Sequence, residues 1–555
     1  MNVVRQIRIS LSITLLLSAL QVAADIRFET HRIETEFVLR QPVMVARMGT
    51  SDVAVAVPVK VPVKAPVKAP VKVPVKAPVP ATPNVAVETP VIVLAGDDAR
   101  HRQWIALYRF QPTNSERDEA GNRQNGESAF EKIDSFQVPP EFLYYDIGSF
   151  GCWRRANCPE GIYFLTPEGL SVWNLATRSF DRVLAIPSLY HQVRTGRLRY
   201  QDFLKDLNGD GLGDLLVPDV LGYRIRLQGA DNSDMLLSGG VQMKLSDDAV
   251  RYVNRPLYAS DLNFDNRQDL FYLRDHILHG FLQRSSGSYA SEEIQRQIPL
   301  DFLSEARREE IEESRGEIDQ SDLVFKQIAS IEDINADGIL DIATDATVSK
   351  GLFDKHSEFD VYYGRNAEGW LGYAPVADTG VDSQGVQLNV QLVDLDGDER
   401  RDLVTTTIRI SLMKVVGALF SGSIGVKFSF YRLGEDGHYP KVPDYRSYAR
   451  MAFDLKTGHV KIPALVLADF NGDGRKDLLL QHSETAMSFY AGVPEKRLFS
   501  AKDSRIQMDL PANGERVQSE DVNGDGLSDL ILRYDASDSE EKARSVTLML
   551  AHPAD

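Results

Sequence analysis

DLNGDGLGD, beginning at Asp206, is a nine-residue phrase that the chain repeats five more times. The later copies read DLNFDNRQD from Asp261, DINADGILD from Asp333, DLDGDERRD from Asp394, DFNGDGRKD from Asp469 and DVNGDGLSD from Asp521. Counted from the leading Asp, side-chain oxygens stand at positions 1, 3, 5 and 9, and position 7 offers its backbone carbonyl. A tight loop can wrap such a set around one cation. Only a hard, oxygen-seeking ion of flexible geometry suits all five donors, which favours calcium over magnesium. No His or Cys is offered for zinc or copper.

The expected ligands are therefore as follows. The first loop supplies Asp206, Asn208, Asp210, Leu212 and Asp214, and the second Asp261, Asn263, Asp265, Arg267 and Asp269. The third supplies Asp333, Asn335, Asp337, Ile339 and Asp341, and the fourth Asp394, Asp396, Asp398, Arg400 and Asp402. Asp469, Asn471, Asp473, Arg475 and Asp477 form the fifth set, and Asp521, Asn523, Asp525, Leu527 and Asp529 the sixth. Position 6 is glycine in four copies (Gly211, Gly338, Gly474, Gly526), where the chain must turn sharply. Asn266 tolerates such a turn. Glu399 does not do so readily, so a distorted fourth site is expected, with the extra charge of Asp396 in compensation. EF-hands place a further acidic ligand at position 12. Here that position holds Val217, Tyr272, Thr344, Thr405, Leu480 and Leu532, so the loop leads into a strand.

Successive copies start between 52 and 75 residues apart, and each lies between runs such as Ala464–Leu467 and Leu478–Leu480. Short strands in regular series with turns between them indicate an all-β repeat fold. Asp-x-Asn-x-Asp-Gly-x-x-Asp-Leu between two strands resembles the FG-GAP/VCBS repeat of integrin α-chain propellers and bacterial exported proteins, over roughly residues 140–555. The resemblance implies a β-propeller of four-stranded blades, seven in number with eight as the alternative. It also implies metal loops on one end and partner binding at the other. Asp146 stands about one repeat before Asp206 but lacks the ligand set. A strand from about residues 91–138 is expected to complete the last blade and close the ring, which removes an exposed edge. The eight-bladed alternative uses residues 25–138 for a blade of their own.

The start of the chain reads as a secretory signal over residues 1–24: Arg5 and Arg8, the apolar Leu11–Leu20, and small residues before a cut after Ala24. Residues 25–56 are unassigned. VPVKVPVKAPVKAPVKVPVKAPVPATP, residues 57–83, has proline at every fourth place for most of its length and reads as an extended linker. The propeller is expected over 91–555. The two cysteines, Cys152 and Cys158, suit a local disulfide in an oxidising compartment, such as the periplasm, the cell surface or the medium.

The formal charge is −18, which argues against a nucleic-acid partner. Nineteen of the acids are loop ligands, so bound calcium would offset much of the self-repulsion. No catalytic phrase appears: neither His-Glu-x-x-His nor Gly-x-Ser-x-Gly is present. The leading functional expectation is a non-enzymatic scaffold that binds a protein or an envelope polymer, with no transmembrane domain in the mature chain. A lectin-like carbohydrate binder is the alternative, with Trp153, Trp173 and Trp370 as sugar-stacking candidates. A polysaccharide lyase or hydrolase ranks below both. Two insertions depart from the repeat: a charged, helix-prone stretch within 291–318, and Ile408–Phe430, read as a buried hairpin in preference to a membrane or partner contact.

Overall fold

The computed structural model describes residues 26–48, 89–111, 129–142, 144–151, 159–186, 197–219, 222–228, 234–239, 241–246, 249–313, 323–351, 354–409, 413, 417, 420–453 and 460–553. The expected signal, the Pro-Lys array and the Cys152–Cys158 pair lie outside them.

Eight sheets follow one another along the chain, each of four or five strands and antiparallel but for one short parallel pairing in blade 2. Blade 1 pairs Val38–Leu39 and Met44–Met48 with Thr89–Asp97, then adds Gln103–Phe110 and Phe130–Val138. Blade 2 runs Tyr144–Gly148, Gly161–Thr166, Gly169–Asn174 and Ser179–Leu184, with Arg199–Tyr200 alongside its first strand. Blades 3 to 7 occupy 204–238, 258–297, 324–384, 386–461 and 465–507. Blade 8 comprises Val517–Glu520, Asp529–Arg533 and Ser545–Pro553, and its fourth strand is Ile26–Glu34 from the other end of the sequence. A hairpin of Val241–Ser246 and Ala249–Asn254 follows blade 3, and the helix Glu305–Glu313 follows blade 4. That helix confirms the helix-prone insertion, and its Glu305 accepts from the Arg255 guanidinium at 2.8 Å.

The ring is closed by its core. Eight apolar clusters fill eight seams, each drawing on two consecutive blades. The seam between blades 8 and 1 joins Val522, Ile531, Val546, Leu548 and Leu550 to Ile92, Leu94, Ala106 and Tyr108. Ile33, on the closing strand, is buried in the same seam.

Two expectations are corrected. The ring has eight blades, as the alternative reading had it, and not the leading seven, because residues 38–138 build a full sheet that carries no Asp-rich loop to announce it. The strand that completes blade 8 is Ile26–Glu34, in register over nine residue pairs, not one drawn from 91–138. Residues 26–48 thus belong to the propeller, which begins well before residue 91. The Pro-Lys array accordingly falls between the first and second strands of blade 1, where blades 3 to 8 hold an Asp-rich loop. The Ile408–Phe430 stretch also divides. Val426, Phe428 and Phe430 are buried in the third strand of blade 6, as a hairpin requires, whereas Met413 and Phe420 are exposed.

Two changes should separate the tether from the clasp. Met48 and Thr89 are register partners, so a short connection can join them. Deleting residues 57–83 is expected to leave the melting temperature unchanged, since loop length enters closure entropy only logarithmically. Ile33→Ala should cost about 2–5 kcal/mol by emptying part of the closing seam. Calorimetry should show one transition, shifted whole, rather than an early melt of one end.

Candidate metal centres

Each of the six loops joins the first strand of its blade to the second, so all six emerge at the same end of the ring. Their conformation is nearly invariant. Positions 4 and 6 both adopt left-handed backbone, from Gly209 (φ 74°) and Gly211 (φ 78°) to Gly524 (φ 80°) and Gly526 (φ 87°). Phe264, Asn266, Ala336 and Glu399 take the same conformation without being glycine. Glu399 at φ 70° costs on the order of 1–2 kcal/mol but does not distort the loop. The need at position 4 escaped the sequence reading, although glycine stands there in four copies.

The leading Asp anchors the turn. Asp206 accepts from the backbone N–H of Gly209 at 2.8 Å and of Gly211 at 2.6 Å. Asp394, Asp469 and Asp521 do the same, and Glu399 N–H reaches Asp394 at 2.9 Å. Position 5 accepts from the N–H of position 7, as Asp210 does from Leu212 at 2.8 Å.

Position 9 ties the loop to the blade. Asp214, Asp269, Asp341, Asp402, Asp477 and Asp529 are all fully buried. One carboxylate oxygen of each accepts from the N–H of position 2; the other accepts from a residue two places past the third strand in blades 3 to 7, and from a residue near the end of that strand in blade 8. For Asp477 these partners are Phe470 at 3.0 Å and Gly492 at 2.8 Å. For Asp529 they are Val522 at 3.0 Å and Ala551 at 2.8 Å. Burial pushes these carboxyls up from an ordinary value near 3.8, to about 7 in five loops and about 6 at Asp269. The backbone N–H groups oppose that rise, and the neighbouring loop acids add to it.

Position 2 was not singled out in the sequence, yet its role is uniform. Leu207, Leu262, Ile334, Leu395, Phe470 and Val522 are buried, each in the seam with the following blade. Neighbouring loops are also bonded directly. Arg401 N–H donates to the Ile334 carbonyl at 2.8 Å, Lys476 to Leu395 at 2.9 Å and Ser528 to Asp469 at 2.9 Å. Position 12 is buried within the second strand in every copy, beyond the loop.

Among the described residues, the fourth loop alone brings three acidic side chains together, and the other loops offset their acids locally. In four loops the Asn amide nitrogen turns onto the position-5 carboxylate, at 2.9 Å for both Asn263 to Asp265 and Asn523 to Asp525. The fourth loop has no such amide. Asp394, Asp396 and Asp398 bring carboxylate oxygens within 4.8 Å of one another. Arg432 lies 3.2 Å from Asp396, and Arg400 pairs with Asp398. Even so, Asp396 Oδ1 is buried with no hydrogen-bond partner among the described residues. A cation held by positions 1, 3 and 5 would satisfy it.

Asp146 has the burial of a position-9 residue but different partners. It accepts from Phe203 and Leu204 N–H, each at 2.7 Å, and so holds blade 3 to blade 2 without a metal loop.

The opposite end holds a cavity of about 320 Å³ beside the closing strand, lined by Glu36, Asp98, Arg100, Arg102, Trp104 and Lys132 among others. Asp98 organises it, accepting from Arg102 Nε at 2.7 Å and Trp104 Nε1 at 3.2 Å. Of the tryptophans proposed for sugar stacking, Trp173 is core, stacked on Phe136 at 3.8 Å. Trp370 is covered by Arg296 at 4.1 Å, and Trp153 lies outside the described residues.

No family model matches the chain, and no curated protein matches it. Among solved structures, the chain is similar to a lectin of Agrocybe aegerita that recognises non-reducing terminal N-acetylglucosamine. The identity is 13%, over 82% of this chain and 92% of the other, at a TM-score of 0.36. It is also similar to an arginine-to-alanine triple mutant of AofleA from Arthrobotrys oligospora, with 8% identity over 87% of this chain and 91% of the other, at a TM-score of 0.21. The architecture described above rests on strand pairing and not on these likenesses.

The buried position-9 carboxyls set the sign of a pH effect. Their folded values lie above the unfolded value near 3.8, so the folded chain binds more protons between the two. The stability they contribute is present below about pH 4 and lost as pH rises through 7. In protein stripped of divalent ions, the melting temperature at pH 5.5 should exceed that at pH 7.5. A melting temperature that rises over this interval would contradict the burial argument.

Proposed function

We propose that the chain is a calcium-stiffened binding propeller of the FG-GAP/VCBS kind, exported from the cell and without catalytic activity. The supporting observation is the sixfold repetition of one loop, with closely similar anchoring at positions 1, 5 and 9, along one end of the ring. Calcium at positions 1, 3, 5, 7 and 9 would neutralise the acids and lock each position-2 side chain in its seam. A scaffold of this kind holds its opposite face rigid for a partner. Ions that bind only the folded state add about 2.7 kcal/mol per site at a hundredfold over Kd. Millimolar calcium should therefore raise the melting temperature at pH 7.5 and remove most of its pH dependence. Asp525→Ala should lower the calcium stoichiometry, measured on dialysed protein, from about six to about five. Identical melts in chelator and in millimolar calcium would defeat the assignment.

The cavity at the opposite end favours a second reading, a carbohydrate ligand. A half-buried indole beside paired acids and bases supplies both an apolar face and directional hydrogen bonds, the mixture that small-ligand sites use. Trp104→Ala should abolish binding on a glycan array while leaving calcium stoichiometry intact. If the array stays blank for the unmodified chain but an envelope protein is captured, the protein-scaffold reading stands instead.

A further inference from the structure

The cavity beside the closing strand carries a charge imbalance that narrows its ligand. Its walls are fixed by contacts of their own. The Thr35 hydroxyl donates to the Phe37 carbonyl at 2.6 Å, and the Thr35 N–H to the Arg544 carbonyl at 2.8 Å, which ties residues 35–37 to blade 8. Asp98 shapes the turn between the second and third strands of blade 1. Its Oδ1 accepts from the N–H groups of Arg100 at 2.8 Å and Arg102 at 2.9 Å. Its Oδ2 takes the Arg102 guanidinium at 2.6 Å and the Trp104 indole at 3.2 Å. Arg102 also stands 5.8 Å from the indole centroid and steadies the ring by a cation–π contact. On the fourth strand, Lys132 is the register partner of Tyr108, and both line the cavity.

Once Asp98 and Arg102 are paired off, the lining keeps two cations, Arg100 and Lys132, against one carboxylate, Glu36. Among the described residues none of these three makes an ion pair. The cavity therefore holds a surplus of one positive charge. Trp104 also borders a narrow crevice, where Arg40 and Arg197 share the buried Asp97 at 3.5 and 3.7 Å. Cations thus outnumber carboxylates on both sides of one indole, in a chain whose formal charge is −18.

We propose that the ligand of this cavity is an acidic sugar, a uronic acid whose pyranose ring lies against Trp104 and whose carboxylate meets Arg100 and Lys132. The inference rests on the carbohydrate reading of the cavity and names the class of sugar. A neutral sugar would leave the two cations without a counter-charge inside a partly closed site. A phosphate monoester carries more negative charge than the surplus offsets. A carboxylate carries one charge, and its planar fork matches a guanidinium. A volume of about 320 Å³ is at the small end for such sites and suits a terminal ring in preference to a long stretch of chain.

The test is titration calorimetry on the full chain at fixed free calcium. The ligands are the methyl glycosides of glucuronic and galacturonic acid, each compared with methyl glucoside or methyl galactoside, which differ from them only at C6. Charge-assisted hydrogen bonds to the carboxylate should make each acid sugar bind about tenfold more tightly than its neutral counterpart. Arg100→Gln with Lys132→Gln should abolish that preference and leave the affinity for the neutral sugars unchanged. This double variant should melt like the parent, because both residues are exposed. Trp104→Ala should weaken acid and neutral sugars alike. Equal affinity for acid and neutral sugars, or a double variant that keeps the preference, overturns the proposal while the carbohydrate reading stands. Acetate that competes as well as the glucuronide marks a bare anion site and overturns it too. If the parent binds none of the four sugars, the carbohydrate reading falls and the proposal with it.

Discussion

The buried carboxylate at position 9 is the contact on which the ring depends. It is the one loop acid removed entirely from water, and each of its oxygens is committed to a backbone N–H on a different part of the blade. One bond pins position 2, whose side chain is thereby driven into the seam with the next blade. The other pins the end of the third strand. A single side chain thus couples the loop, its own sheet and the neighbouring sheet, six times around the ring. Direct bonds from loop to loop, such as Lys476 N–H to the Leu395 carbonyl, extend that coupling from blade to blade.

Such an arrangement concentrates like charge. Burying a carboxylate is costly even when it is hydrogen-bonded, and positions 1 and 5 place further acids beside it. Left-handed backbone at Phe264, Ala336 and Glu399 adds to the cost in three loops. Asn amides and nearby arginines supply partial compensation, but Asp396 Oδ1 remains without a partner among the described residues. A divalent ion held as proposed would relieve the repulsion, and the Asn amides that face the position-5 carboxylates would then turn away.

The six loops were legible in the sequence because a turn that gathers oxygens tolerates few residue types, and their repetition announced a propeller. Blades 1 and 2 were not legible for the converse reason. Blade 2 replaces the loop with Asp146 bonded to Phe203 and Leu204, a contact made by one acid with no motif around it. Blade 1 interrupts its first connection with the Pro-Lys array, which reads as a boundary between domains. The closing strand was hidden by the same interruption: THRIE, residues 30–34, alternates buried and exposed as an edge strand should, but its partner lies more than five hundred residues away. Local pattern identifies a strand and gives no indication of which sheet receives it.

Closure by the first strand has a consequence for how the molecule is built. In a ring whose last blade is completed from the opposite terminus, no blade is a free end, and opening any seam exposes two apolar faces at once. The seam between blades 8 and 1 also forms one wall of the cavity, since Thr35, Glu36 and Phe37 leave the closing strand directly into its lining. The metal loops occupy the other end of the same sheets. The same strands run on from the loops to the end where the cavity lies. Because position 2 of each Asp-rich loop is buried in the seam with the following blade, a shift of one such blade against the next would have to expose that side chain to water.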